Sequence, residues 1–133
     1  MTSQVWENRI FTNVYNAISD ICENVVNTSN VTPSQFPTTD ISLLLGEDAN
    51  LDLENNDCGC NLSYEVQVYT DGTNKIILNQ EIMERVYRTF KKMGFHMIYV
   101  RTVRDENTPE LFRRVARFRR FIGDGEEIEL LQV

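Results

Sequence analysis

The sequence predicts a single small α+β domain: a mainly antiparallel sheet of about four strands with two helices packed on one face. Three observations carry this. Two stretches repeat apolar residues at helical spacing, and residues 61–70 alternate with a period of two. The order helix, strand, strand, helix, strand, segment then lets both helices cover one side of a sheet. A chain of 133 residues can bury a real core without metal or disulfide staples.

The first helix is expected over residues 4–26, where Trp6, Ile10, Val14, Ile18, Ile21 and Val25 form one stripe, with Ser3 as its cap. Turn formers and prolines in "NTSNVTPSQFP", 27–37, end it. "TTDISLLLG", 38–46, reads as a strand with Ile41, Leu43 and Leu45 on one face. "EDANLDLENNDCGC", 47–60, has no periodicity and is expected as a mobile acidic loop. In "NLSYEVQVYT", Leu62, Tyr64, Val66 and Val68 point inward, and Ser63, Glu65 and Gln67 outward. Asp71-Gly72 turns the chain.

Asn79 is the expected cap of a second helix reaching Met93, with Ile82, Val86, Phe90 and Met93 as its buried stripe. Lys91 and Lys92 suit its last turn, and Gly94 its stop. "FHMIYVRTV", 95–103, is apolar on both faces, as a central strand is. The segment "TPELFRRVARFRRFIG" fits two conformations. A helix would align Leu111, Val115, Phe118 and Ile122. A strand would set Phe112, Arg114, Ala116, Phe118, Arg120 and Ile122 on one face, and Arg113, Val115, Arg117 and Arg119 on the other. Local signals lean to the helix, and the order of elements to a fourth strand.

Charge is divided along the chain, whose formal net is −7. Residues 1–74 hold eleven acids and one base, Arg9; residues 75–133 hold twelve bases and nine acids. Such asymmetry predicts a basic surface and an acidic one on the same molecule. The candidate basic surface is Arg113, Arg114, Arg117, Arg119 and Arg120. The candidate acidic surface is Asp40 with the loop residues Glu47, Asp48, Asp52, Glu54 and Asp57. Arginine's planar fork binds carboxylates bidentately, so a basic strand of one copy can dock the acidic surface of the next. Head-to-tail contacts of this kind make rings when the rotation closes.

Catalytic and cofactor chemistry finds little support. Asp48, Asn50 and Asp52 fit the first places of a calcium loop, but Leu53 and Gly59 occupy places that need glycine and glutamate. Cys22, Cys58, Cys60 and His96 total four soft ligands, yet one residue between Cys58 and Cys60 is too few for the usual zinc pair. An odd number of cysteines argues against a disulfide framework. With His96 as the single histidine, a half-buried structural role outweighs a histidine-based triad. The glycines are too scattered for a phosphate loop, and Asp71 with Lys75 is a thin basis for a metal nuclease. The sequence therefore predicts no enzyme and no cofactor. Neither an export signal nor a membrane-length apolar run is read, so a soluble, cytoplasmically made product is expected.

Stretches spread over nearly the whole chain resemble the tail terminator (tail-completion, minor-tail U-like) proteins of long-tailed phages. They are "RIFTNVYNAI", "SQFPTTDISL" with Phe36-Pro37, "LSYEVQVYT", the helix closing on "KKMGF", and the final "FRRVARFRRFIG". The resemblance implies a hexameric ring that caps the tail tube, stops its growth and presents a surface to the head-side connector. Its implied partners are further copies of itself, tail-tube protein, the connector and DNA passing through the lumen without sequence reading; no membrane is involved. It implies a virion location in the tail or neck, no enzyme activity, and a strand for the arginine segment. Residues 47–60 have no counterpart in that pattern. The rival readings are another neck or head-closure component and a small nucleic-acid-binding protein using the arginine strand.

Overall fold

Helical periodicity in the first twenty residues becomes an α-helix, α1, over Ser3–Ile18. The structure, a computed structural model, describes residues 3–27, 33–48, 59–104 and 106–123. After α1 come β1 (Asn24–Val26), β2 (Thr38–Asp48), β3 (Gly59–Thr70), α2 (Lys75–Lys92), β4 (His96–Val103) and β5 (Phe112–Gly123). The five strands form one sheet in the order β1-β2-β3-β5-β4, in which β1 runs parallel to β2 and all other pairs are antiparallel. The expected α+β domain is therefore present, with one strand more than expected and one parallel pair.

The helices pack on the side of the sheet bearing Ile41, Leu62, Tyr64, Val66, Val68, Ala116 and Phe118. Ile10, Val14 and Ile18 enter this core from α1, and Ile82, Val86, Phe90 and Met93 from α2, all fully buried. At its centre Phe90 stacks on Phe118, ring centroids 4.3 Å apart, while Phe95 meets Phe90 edge-on at 5.0 Å. Such aromatic pairs add about 0.5–1.5 kcal/mol beyond the area they bury. The alternation read in residues 62–68 is present as a buried and half-buried alternation along β3.

Several expectations need correction. α1 stops at Ile18, and Ile21 and Val25 pack on the core from a turn and from β1. The apolar spacing ran on past the helix because it marks burial, not hydrogen bonding. In β2 a register shift between Leu43 and Leu45 pairs Leu43 with Tyr64 but Leu45 with Ser63, so the expected single face is broken. The ends of the stretch expected as a loop, Glu47–Asp48 and Gly59–Cys60, are strand residues, Asp48 opposite Cys60. The stretch between them, with Asn50, Asp52, Leu53, Glu54, Asp57 and Cys58, lies outside the described residues, as does Ile122's side chain.

Asn79 does not cap α2, which begins four residues earlier after Asn74. It is buried within the helix. Its Nδ2 lies 2.8 Å from Val68 O, 3.2 Å from Thr70 Oγ1 and 3.2 Å from Phe112 O, fastening α2 to β3 and β5. At the other end, Gly94 takes φ +82°, the left-handed conformation that terminates helices.

β4 is not central. It is an edge strand, because β5 inserts between it and β3. Its apolar residues Met97, Ile98 and Val100 are exposed, not buried from both sides.

Candidate interaction surface

Strand order converts the linear charge division into a spatial one. The acid-rich half of the chain supplies β1, β2 and β3, and the base-rich half supplies β5 and β4. One sheet edge, β1, therefore belongs to the acidic half and the other, β4, to the basic half.

The arginine segment is a strand, β5, and its two faces part as the strand reading sets them. Arg113, Val115, Arg117 and Arg119 share register with Tyr69, Gln67, Glu65 and Ser63 of β3, on the face without helices. There the side chains bond to one another. Arg117 Nε donates to Glu65 Oε2 at 2.9 Å, Gln67 Nε2 to Glu65 Oε1 at 3.0 Å, and Tyr69 Oη to Gln67 Oε1 at 2.8 Å. Arg113 donates to the same Gln67 oxygen and lies over the Tyr69 ring, 5.3 Å from its centroid. On β4, Tyr99 receives Arg117 and Arg101 against its ring at 5.5 Å and 5.1 Å. Donating to the Glu65 carboxylate raises the pKa of Arg117 above the usual guanidinium value.

On the helix-bearing face, Arg120 donates to the carbonyl of Met93, a terminal acceptor of α2 that the helix dipole makes more negative. Arg114 lies over the Phe112 ring at 5.6 Å, and its Nε is buried without a hydrogen-bond partner among the described residues. Arg119 is exposed. Of the five, Arg117 is held by a carboxylate of its own chain, Glu65.

The acidic candidates divide less simply. Asp40 is only 3% exposed, with Ser42 Oγ donating to it at 2.8 Å, so it is not part of an outer surface. Burial pushes its pKa up. It lines a cleft of about 180 Å³ with Asn24, Thr38 and Tyr69, whose own pKa burial also raises. Glu47 and Asp48 sit on β2; Asp52, Glu54 and Asp57 lie outside the described residues. Exposed carboxylates near β1 are Asp20 and Glu23, and Asp20 is bridged at 2.7 Å by Arg85 of α2.

The remaining chemistry does not converge. Cys22 is buried, its Sγ 3.3 Å from Thr39 Oγ1, by β2, whereas His96 is exposed on β4 at the far edge. Exposure also replaces the half-buried position expected for that histidine. Lys75 Nζ donates to Glu110 O at 3.2 Å, and Asp71 is exposed on its turn. Among the described residues no three His, Cys, Asp or Glu side chains gather to hold a metal ion. No described helix is long and apolar enough to cross a membrane.

What sequence reading missed is β4. Met97 is 42% exposed, Ile98 51% and Val100 41%. Its outer backbone edge has no strand partner among the described residues. Between β4 and α2 runs a groove of about 370 Å³ lined by Gln80, Met83, Glu84, Tyr87, Met97, Val100 and Arg114. The signal was present in the sequence as a strand apolar on both faces, but it has two explanations, and only strand order separates them.

No protein-family model matches the chain, and no curated protein does. A solved structure is similar: a chain from "Virion of native gene transfer agent (GTA) particle", with a TM-score of 0.55 and 14% identity. The match covers 86% of this chain and 91% of that one. At that identity the likeness shows a shared fold.

Proposed function

We propose that this chain is a structural virion protein that assembles head-to-tail into a ring, expected to be hexameric, at the head-side end of a phage-like tail. In this reading it caps the tail tube, stops its growth, meets the connector and lets DNA pass through the lumen; we assign it no catalytic step. The observation that carries the reading is the sheet order, which sets acid-rich and base-rich parts of one chain at opposite edges and, among the described residues, leaves β4 without an outer strand partner at the basic edge. Two unlike edges that complement each other make a heterologous contact, the kind that closes into rings. The fold shared with a chain of a virion particle supports the virion location.

Light scattering over a range of protein and salt concentrations, with and without tail-tube protein, tests it. A closed oligomer is expected, weakened only in part by salt because apolar contacts contribute beside charge. A strict monomer under all conditions overturns it. Steeply salt-dependent DNA binding by that monomer would point to the nucleic-acid reading instead. Association with the connector but not with tube protein would point to another neck component.

A further inference from the structure

We infer that the outer edge of β4, with its α2 groove, is an acceptor for residues 127–131 of a second copy, which add as a sixth strand. This rests on the ring reading above, with the neighbour's acidic residues 124–133 in place of its β1 edge as what meets β4.

An uncovered strand edge offers a row of backbone donors and acceptors to any extended segment, and side chains on its two sides choose which segment fits. The two sides of β4 differ. On the helix-bearing side stand Met97 opposite Phe118 and Val100 opposite Ala116, continued by Met83 and Tyr87 of α2. That side is mainly apolar, with Gln80, Glu84 and Arg114 also lining the groove. On the other side stand Arg101 opposite Val115 and Tyr99 opposite Arg117, next to exposed Arg119. That side is basic and aromatic. Ile98 falls at the register shift between them and is half exposed.

A fitting strand must alternate apolar residues with carboxylates, because successive side chains of a strand point to opposite faces. Residues 127–131 read Glu127-Ile128-Glu129-Leu130-Leu131, within a stretch, 124–133, that holds four acids and no base. Ile128 and Leu130 match the groove; Glu127 and Glu129 match Arg101 and its neighbours. The three residues 124–126 that join Gly123 to this segment reach about 10 Å when extended, and the segment itself adds about 17 Å. The stretch 50–54, "NLDLE", also alternates. The chain on either side of it is tied into the sheet, Asp48 opposite Cys60.

The test is disulfide trapping between full-length chains in which Cys58 and Cys60 are serine. A Val100→Cys chain is mixed with an Ile128→Cys or Leu130→Cys chain under mild oxidation, and products are identified on non-reducing gels and by mass spectrometry. Light scattering is run on the same samples. A disulfide between different chains is expected, lost when the mixture is made with an unsubstituted partner. The paired substitution Ile128→Asp and Leu130→Asp is expected to abolish the ring while leaving the monomer's melting temperature unchanged. Rings without the trapped bond overturn this inference and leave the ring reading standing. So does a bond that forms only within one chain carrying both cysteines, or trapping by Leu53→Cys in place of positions 128 and 130. A monomer in every sample overturns both.

Discussion

Arg117 and Glu65 face each other directly across the β3–β5 ladder, with Nε and Oε2 2.9 Å apart and side chains 43% and 17% exposed. The pair anchors a run of polar contacts from Tyr99 on β4 to Tyr69 on β3, on the face of the sheet opposite α1 and α2. It therefore fixes arginines whose density in the sequence suggested free positive charge.

A double-mutant cycle with Glu65→Ala and Arg117→Ala, followed by urea unfolding, should give a favourable coupling. The coupling should shrink in high salt. A coupling of zero at low salt would mean that the pair holds nothing in place.

Asn79 is the polar fastening of α2 to the sheet. Asn79→Leu removes the donor serving the buried carbonyls of Val68 and Phe112, and should cost about 1–3 kcal/mol. Urea midpoints check this. Asn79 Oδ1 has no hydrogen-bond partner among the described residues, so the loss should come through the amide nitrogen alone.

Gly94 is constrained twice. Its φ is +82°, and a Cβ there would stand 2.9 Å from Arg120 Cζ. Gly94→Ala should cost about 1–2 kcal/mol from the left-handed backbone alone. The guanidinium of Arg120 must also swing aside from its bond to Met93 O, a smaller cost that Arg120→Ala in the same chain should remove. Thermal unfolding of the two single variants and the double variant separates strain from clash.

Asp40 gives the pH dependence a definite sign. Burial raises its folded pKa above the unfolded value, so the folded state binds the proton more tightly. Its contribution to stability is therefore greatest below the unfolded pKa and is lost as pH rises through the folded one. Asp40→Asn keeps an acceptor for Ser42 and should be more stable than the parent at neutral pH. That advantage should vanish as pH falls through the carboxylate range. Denaturation midpoints at several pH values check it; a constant difference would mean that the carboxylate is not penalised by burial.

The legible parts of the fold were those set by local spacing. Ile82, Val86, Phe90 and Met93 announced the buried face of α2, the alternation from Leu62 to Val68 announced β3, and Gly94 announced a helix stop. Each follows from bond geometry within a few residues. The candidate surface was only half legible. The division of charge and the two faces of β5 could be read; the groove beside β4 could not, because Met83 and Tyr87 meet Met97 and Val100 only after α2 has docked.

By itself, then, the sequence determined which residues leave water, where acids and bases accumulate, and that helices and strands build one layered domain. The tertiary structure decided that α1 yields to β1, that Asn79 fastens instead of capping, that Asp40 is buried, and that β5 and not β4 is interior. The reason is physical. Periodicity records burial against any surface, whereas strand order comes from pairing between residues such as Glu65 and Arg117, 52 positions apart. No local pattern encodes that choice of neighbour.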